Sequence, residues 1–347
     1  MPPLASTTYI RALAGGGAGA SRLPLDECLA ALAKVGIQTD YDLLLQSDVL
    51  EQTPAALHQH IRALRMAVLE HFASAGSTAA DLLAAVGPGS AIQSGIRTLD
   101  SLLDGGVSPG GIVEMCAEDA PSRTRVAIEF ATGHLVSSAV GPRVFMLQSS
   151  PLAVWLVERS LRKRLGSLPA AQRELLFARA MERLIVVDCG DLDALLGFLY
   201  YYVDTYASDM AGGRDPAAAD LVVIDSIRPL VIGAMQQHEG SDVAVYAVRT
   251  ALREITGAQR RPPAAVLVTN GVSRGGRSDD DSSAPPPGLG LAVQPSLGIA
   301  WAMVSHTHVH LHENAAPSAG AEDCCDYTAV VLKSPCTRVG SQCQFRL

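Results

Sequence analysis

Gly111-Ile-Val-Glu-Met-Cys-Ala-Glu-Asp-Ala-Pro-Ser-Arg-Thr124 is the stretch that decides the fold. It opens with a short apolar run typical of a buried strand and continues toward a helix. A phosphate-binding loop at such a place has the pattern G-x-x-x-x-G-K-[ST], in which glycines let backbone N–H groups close around phosphates and the lysine reaches the outer ones. Its four fixed positions hold Ala117, Ser122, Arg123 and Thr124. The stretch predicts a strand, loop and helix whose phosphate-binding residues are altered.

Short apolar strands alternate with helices on the C-terminal side of this stretch. Strands are predicted at 144–147, 184–187, 221–224 and 265–269, and the first helix at 124–138. Such alternation is typical of a mostly parallel twisted sheet with helices on both faces. Residues 299–347 alternate as strands do, which predicts antiparallel C-terminal strands at the sheet edge. The predicted fold class is α/β.

The chain has 347 residues, enough for one large domain and a small satellite. Composition and apolar periodicity predict four parts. They are a flexible leader at 1–22, a small helical N-terminal domain at 23–76, a linker at 77–94, and the α/β core at 95–347. Within the core, residues 273–294 are rich in Ser, Gly, Asp and Pro and are predicted to form a mobile loop.

Charge and composition exclude several classes of protein. The net charge of −8 argues against a broad basic surface that coats DNA, so any nucleic-acid contact has to be local. The seven cysteines include no C-x-x-C pair, which favours a reducing intracellular compartment over a disulfide framework or a zinc site. No apolar run approaches the about 18 residues of a membrane span, and no signal peptide is recognised. We expect a soluble protein.

A carboxylate is predicted at the end of the apolar strand Leu221–Asp225. In a fold with a phosphate loop, an aspartate at this place orients magnesium beside the hydroxyl of the loop threonine, here Thr124. Many buried strands end in Asp at the rim of a sheet, so a purely structural interpretation stays open.

The residues before the loop are the most specific signal in the chain. Residues 95–114 contain the run G-I-x-x-L-D-x-L-L-x-G-G followed by G-x-I-x-E. With the altered phosphate loop, this run resembles the RecA-type recombinase superfamily in its eukaryotic form. Residues 266–270 resemble the sensor strand of that family, residues 294–301 the segment that follows its second DNA-facing loop, and residues 332–334 its closing strand. The helical N-terminal domain, with residues 37–43 and 63–72, most resembles the D-type recombinase paralogue.

The resemblance implies a RecA-like core that binds ATP and magnesium. The implied nucleotide-binding residues are Ala117, Ser122, Arg123, Thr124, Asp225 and Asn270, with Thr124 and Asp225 as the magnesium ligands. Arg123 replaces the lysine of the loop, and this exchange is not conservative at a tight phosphate site. Glu118 and Asp119 add negative charge, which repels a phosphate by a few kcal/mol at about 4 Å. Ser150 stands where active members carry the glutamate that positions water, so no intact catalytic residue is recognised.

The resemblance also implies partners. A paralogue of this kind acts in the nucleus in homologous-recombination repair, in a heteromeric complex with other recombinase paralogues, where it binds single-stranded or branched DNA and assists the recombinase filament. Arg274 and Arg277, in the predicted mobile loop, are candidate DNA contacts, although Asp279-Asp280-Asp281 opposes them. Two alternatives stay open. The chain is an active DNA-dependent ATPase of the same family, or a RecA-like signalling or segregation module without a DNA role.

Two further patterns have competing interpretations. His306, His308, His310 and His312 occupy every second position, so on a strand they share one face, and an exposed face is favoured over a metal site. Phe72-Ala-Ser-Ala75 has the F-x-x-A form with which recombinase protomers dock onto a neighbour, but Phe72 also completes an apolar helix face.

Overall fold

The computed structural model describes residues 24–46, 48–72, 78–80, 91–137, 142–206, 219–237, 241–257, 263–274, 293–314 and 325–347. The predicted leader at 1–22 lies outside these residues, as do Arg277, Ala75, most of the predicted mobile loop and part of the predicted linker. By its internal contacts the chain divides into two compact units, residues 1–79 and 80–347.

The N-terminal unit is helical in its described part. Its helices are α1 (Leu25–Lys34), α2 (Asp40–Leu45) and α3 (His58–Phe72). The core of this unit consists of apolar side chains from all three helices and their connections, namely Cys28, Leu32, Ile37, Leu43, Val49, Ile61, Leu64 and Val68. Helix α2 begins with a capping box, in which the Thr39 hydroxyl accepts from the backbone N–H of Asp42 and the Asp42 carboxylate accepts from that of Thr39.

The second unit is built on one large sheet. In the described part of the chain its strands are β1 (Ile112–Ala117), β2 (Val144–Gln148), β3 (Leu184–Asp188), β4 (Leu221–Asp225), β5 (Ala265–Arg274), β6 (Val293–Pro295), β7 (Thr307–Glu313), β8 (Asp326–Lys333) and β9 (Gln342–Arg346). The order is β3-β2-β4-β5-β1-β7-β8-β9, with β6 paired to the end of β5. Strands β3 to β7 along this order pair in parallel, and β8 and β9 are antiparallel.

Helices cover both faces of the sheet. They are α4 (Arg97–Leu102), α5 (Ala120–Ser137), α6 (Val154–Leu165), α7 (Ala170–Arg183), α8 (Leu192–Tyr201), α9 (Ile227–Gln237), α10 (Ser241–Thr256) and α11 (Gly298–Ala302). Helices α5, α6 and α7 pack in one core cluster and α8, α9 and α10 in another, and successive residues of the central strands alternate between the two. Because both faces are covered, these strands are mostly apolar on both faces. The predicted fold class is confirmed.

Several elements differ from the sequence expectations, three of them near the sites described below. Helix α5 begins at Ala120, four residues before the predicted start, so residues expected in a loop are helical. Helix α7 was not predicted. Strand β7 is not an antiparallel edge strand, because it pairs in parallel with β1 and lies between β1 and β8. Its interior position decides the environment of the histidines described below.

Candidate functional site

The altered loop is the capped start of a helix. Asp119 directly precedes α5, and its carboxylate accepts from the backbone N–H of Ser122 at 2.7 Å. An N-cap aspartate satisfies one of the four N–H groups that have no partner within a helix, and Pro121 suits the first helical turn. The helix N-terminus that a phosphate would occupy therefore already holds a carboxylate from the chain itself.

Arg123 occupies the rest of the loop. Its side chain is largely buried, and Nη1 donates to the carbonyl oxygen of Ala117 at 2.6 Å. Burial lowers the pKa of the Arg123 guanidinium, although the nearby carboxylates of Asp225 and Asp119 oppose this. Nε of the same side chain is buried and has no hydrogen-bond partner in the described part of the chain. The cation thus folds back onto the strand instead of reaching outward as the lysine of a phosphate loop does.

The predicted magnesium ligands are brought together. The hydroxyl of Thr124, in the first turns of α5, donates to Asp225 Oδ2 at 2.7 Å, and Thr269 on β5 donates to the other carboxylate oxygen at 2.6 Å. The two predicted ligands come from different elements, 101 residues apart in sequence. Hydroxyl and carboxylate oxygens are the ligands that magnesium prefers, so this pair fits the ion.

A cavity of about 400 Å³ opens beside these residues. Arg123, Thr124, Ser150 and Asp225 line it, and Arg228 adds a second cation. Asp225 is the only acid in this lining, and both of its oxygens accept hydrogen bonds from hydroxyl groups. The one carboxylate of this lining therefore already has two donors, and Ser150 adds no carboxylate to it. The loop thus has one N–H capped by Asp119 and no glycine at its two fixed glycine positions, and Arg123 and Arg228 are the cations of the cavity lining.

Glu114 is the centre of a second polar cluster, and sequence reasoning gave it no role beyond a family motif. The side chain is fully buried on β1, and Asn270 Nδ2 and Trp301 Nε1 donate to Oε1 at 2.7 and 2.8 Å. Ser305 donates to Oε2 at 3.0 Å, and His308 Nε2 lies 2.6 Å from the same oxygen. The donors come from β5, α11, the following loop and β7. One carboxylate therefore joins four parts of the chain.

The contacts around Glu114 keep its charge in a buried place. Burial alone raises the pKa of the Glu114 carboxyl, but the contacts with His308, Asn270 and Trp301 together outweigh burial and hold the pKa below its ordinary value. Burial and the neighbouring Glu114 charge raise the pKa of the Cys116 thiol well above its usual range. The cluster is therefore a paired and hydrogen-bonded buried charge, and Cys116 is an unreactive thiol.

Asn270 belongs to this cluster and not to the cavity. While its Nδ2 donates to Glu114, its Oδ1 accepts from Ser296, which follows β6, at 2.8 Å. The structure does not bring Asn270 into contact with Thr124 or Asp225, and the nucleotide-binding role of Asn270 stays a prediction. The amide instead joins β1 to the segment that re-enters the sheet after β5.

The alternating histidines do not share one exposed face. His308 is buried against Glu114, and His306 accepts at Nδ1 from the backbone N–H of Ile112 at 3.1 Å. His310 is half-buried, and only His306 and His312 are exposed. The prediction of an exposed strand face is wrong for His308 and His310, because β7 is an interior strand. Among the described residues, no group of three or more metal-ligating side chains is found.

Of the two candidate DNA contacts, only Arg274 belongs to the residues that the structure describes. Arg274 is the last residue of β5, where its backbone pairs with Val293 of β6. Arg277 lies outside the described residues. Their DNA-binding role stays a prediction. No helix in the described ranges has the length and apolarity needed to cross a membrane.

Two signals in the sequence point to features that we did not predict. Asp119-Ala-Pro-Ser122 has an N-cap residue and an early proline, which are standard markers of a helix start. Glu114 stands in an otherwise apolar buried strand, and a lone carboxylate in such a run demands partners from elsewhere in the fold. Neither signal reveals which residues the partners are.

The chain was compared with protein families, with characterised proteins and with solved structures. No protein-family model matches the chain. It is 29% identical over 285 residues to DNA repair protein RAD51 homolog 4 of Mus musculus, which covers 81% of this chain and 78% of the relative. It is 26% identical over 280 residues to the protein of the same name from Bos taurus, which covers 80% and 78%. A structure of the RadB recombinase superposes with a TM-score of 0.49 at 20% identity, covering 74% of this chain and 95% of that one. The predicted resemblance to a RecA-family recombinase paralogue is confirmed.

Proposed function

We propose that this chain, a RecA-family recombinase paralogue, acts in DNA recombination and repair as a subunit that binds partners and does not turn over nucleotide. Its role is to scaffold a nuclear complex of recombinase paralogues that contacts single-stranded or branched DNA and assists the recombinase filament. The relatives named above are DNA repair proteins, which supports the general role. The contacts within the phosphate loop support a role in binding partners without turnover of nucleotide.

The chain's own side chains fill its phosphate loop, and this observation carries the proposal. Asp119 holds the N–H of Ser122, and Arg123 holds the carbonyl of Ala117. A nucleotide has to displace both contacts before its phosphates reach the helix N-terminus, and it meets the Asp119 charge when it arrives. The cavity also lacks a free carboxylate beside Ser150. Binding of ATP and magnesium is therefore weak, and hydrolysis is impaired.

The test compares the natural chain with a restored loop. We expect the purified chain, alone and with co-purified paralogues, to hydrolyse ATP at background rate. The quadruple variant Ala117→Gly, Asp119→Gly, Ser122→Gly and Arg123→Lys should bind ATP at least about tenfold more tightly in calorimetry, a gain of about 1.4 kcal/mol, and should still not hydrolyse it. Co-purification followed by mass spectrometry identifies the complex. Recovery of no recombinase paralogue would contradict the scaffold role.

An active DNA-dependent ATPase is the second candidate, and one observation favours it. Thr124 and Asp225 are in contact at 2.7 Å, as a magnesium site requires. Hydrolysis above background that Arg123→Ala abolishes would establish this candidate and overturn the scaffold reading. The third candidate is a RecA-like signalling or segregation module. It would be favoured if neither the chain nor its complex bound single-stranded DNA at low salt.

A further inference from the structure

The cavity beside the altered loop is lined by two arginine side chains that form no ion pair in the described part of the chain. Arg123 donates from Nη1 to the carbonyl oxygen of Ala117, but its Nε is buried without a partner. Arg228, the second residue of α9, is exposed and has neither a hydrogen bond nor an ion pair with a described residue. Both arginines therefore have donors that are open to a ligand of this cavity.

The two guanidinium groups lie over neighbouring residues of β1 and β5. Arg228 lies over Gly271 of β5, where a side-chain carbon would be only 3.0 Å from its Cδ and 3.1 Å from its Nη1. Gly271 pairs in register with Ala117, the residue that Arg123 contacts, and neighbouring strands are about 5 Å apart. Burial lowers the pKa of the Arg123 guanidinium, and the Arg228 charge lowers it further. An anion between the two groups would relieve their repulsion.

The acids nearest to these arginines are engaged elsewhere. Both oxygens of Asp225 accept hydrogen bonds from threonine hydroxyls, and Asp119 accepts from a backbone N–H of α5. Their charges attract Arg123, but within the described part of the chain neither carboxylate forms an ion pair with it or with Arg228. The place for a direct carboxylate partner of the two guanidinium groups is thus not taken by an acid of the chain itself.

We propose that Arg123 and Arg228, called the arginine pair below, bind the carboxylate of an aspartate or glutamate side chain on a partner subunit. A guanidinium binds a planar carboxylate through two parallel hydrogen bonds, and no helix N–H group is needed. The apolar residues Ala120, Pro229 and Ile232 line the same cavity and suit contact with the rest of a peptide. This inference rests on the proposed function, in which the chain binds partner subunits, and it makes the altered nucleotide site one of the contacts.

A phosphate group is the rival occupant. Phosphates at the start of a helix bind through its free N–H groups, and Asp119 already occupies that of Ser122. A phosphate monoester carries close to two negative charges, whereas a carboxylate carries one, so the Asp119 charge repels the phosphate about twice as strongly. The charges of the cavity therefore favour a carboxylate.

The first experiment uses the full chain and the paralogue subunits that co-purify with it. In surface plasmon resonance, Arg228→Ala is expected to lower the affinity for the partner about tenfold or more, because the partner's carboxylate loses one of its cations. Arg228→Glu should lower it further, since like charges then meet. Arg179→Ala is the matched control, because Arg179 is an exposed arginine of α7 that does not line the cavity. It should leave the affinity unchanged, and thermal melts verify that the variants fold.

A cross-link locates the partner's carboxylate. Arg228→Lys retains the positive charge and supplies an amine, which a carbodiimide condenses with a carboxylate in direct contact, while the carbodiimide leaves as its urea. Mass spectrometry of the digested complex should find residue 228 joined to an aspartate or glutamate of the partner, and Arg179→Lys should give no such product. Exchanging that partner acid for arginine should restore binding to Arg228→Glu.

Titrations of the chain alone separate a carboxylate from a phosphate. With isotope-labelled arginine, the resonance of the Arg123 Nε–H is assigned by its loss in Arg123→Lys. At low salt, poly-L-glutamate should shift this resonance at lower concentration than inorganic phosphate or ATP does. The shift should be absent in Arg228→Ala, because both cations hold the carboxylate.

The outcomes separate this inference from the proposed function. Equal partner affinity of the natural chain and Arg228→Ala, with no cross-link from residue 228, overturns the arginine pair and leaves the scaffold role intact. A stronger response of the Arg123 resonance to phosphate or ATP than to polyglutamate overturns it in favour of a phosphate ligand. If the natural chain recovers no paralogue, the proposed function fails. The polyglutamate titration then decides alone, and the absence of a shift overturns the arginine pair as well.

Discussion

Two regions on the same strand, three residues apart, have opposite characters. At Glu114 a buried carboxylate contacts four donors from other elements, and at Ala117 the strand ends in a loop filled by Asp119 and Arg123. A single substitution at the buried cluster leaves the remaining polar groups without partners in a place that water does not reach. At the rim of the sheet, Asp119 and Arg123 contact backbone groups of the loop. The two regions thus differ in how many parts of the chain depend on one side chain.

The largest effect on stability is expected for Glu114→Ala. It leaves Asn270, Trp301, Ser305 and His308 without their acceptor, and we expect the free energy of unfolding to fall by about 3–5 kcal/mol. Urea denaturation followed by circular dichroism measures the change. Glu118→Gln is the matched control, an exposed acid at the start of the loop, and should shift stability by no more than about 0.5 kcal/mol. Equal losses of stability in the two variants would mean that the buried Glu114 cluster contributes no more than an exposed acid does.

Acidification tests a second buried polar side chain of the core, His134. Burial lowers the pKa of His134 on α5 to about 4, and its Nε2 donates to the carbonyl of Ala219. The unfolded state binds this proton at about pH 6.5 and the folded state only near pH 4. The stabilisation from neutral His134 is complete above about pH 6.5 and decreases as pH falls toward 4, by roughly 3 kcal/mol at most.

Denaturation at several pH values measures this slope. His134→Gln, whose amide also donates, should flatten the slope in this window without a large loss at pH 7. An unchanged slope would show that another group titrates.

A smaller effect is expected at the loop. Asp119→Ala removes the cap of α5 and should cost about 1 kcal/mol in urea denaturation. Asp119→Ser retains a capping oxygen and should recover most of that loss. A loss as large as that of Glu114→Ala would contradict the contrast between the two regions.

The smallest effect is expected for an exposed ion pair. Glu158→Gln breaks the contact with Arg162 on the surface of α6, where both side chains are more than 40% exposed and water and salt screen the charges. Stability should change by at most about 0.5 kcal/mol. Raising the salt concentration should reduce the difference further. A loss of several kcal/mol would show that exposure does not decide what an ion pair contributes here.

Local sequence patterns predicted the order of helices and strands well. They predicted less well which residues surround each element in the fold. The run from Gly95 to Glu114 and the apolar strands fixed an α/β core, because buried parallel strands must be apolar on both faces. The meeting of Thr124 and Asp225 was also predictable, since the carboxyl end of β4 and the start of α5 lie at the same edge of the sheet. The early start of α5 has a local signal in Asp119 and Pro121, but these residues lie within the stretch that the phosphate-loop pattern assigns to a loop.

The histidine strand shows the opposite case. Alternation predicted that His306, His308, His310 and His312 point alike, but whether that face meets solvent depends on the neighbours of β7. A strand between β1 and β8 cannot expose it fully.

The sequence by itself determined the fold class, the resemblance to recombinase paralogues and the absence of glycine at the loop's fixed positions, because each depends on residue types at short range or on a linear pattern. Only the tertiary structure decided what the substituted residues do. Arg123 turns inward to Ala117, Asn270 turns to Glu114, and Trp155 stays exposed on α6. Such contacts join residues far apart in the chain, and burial sets their energies, which no linear pattern records.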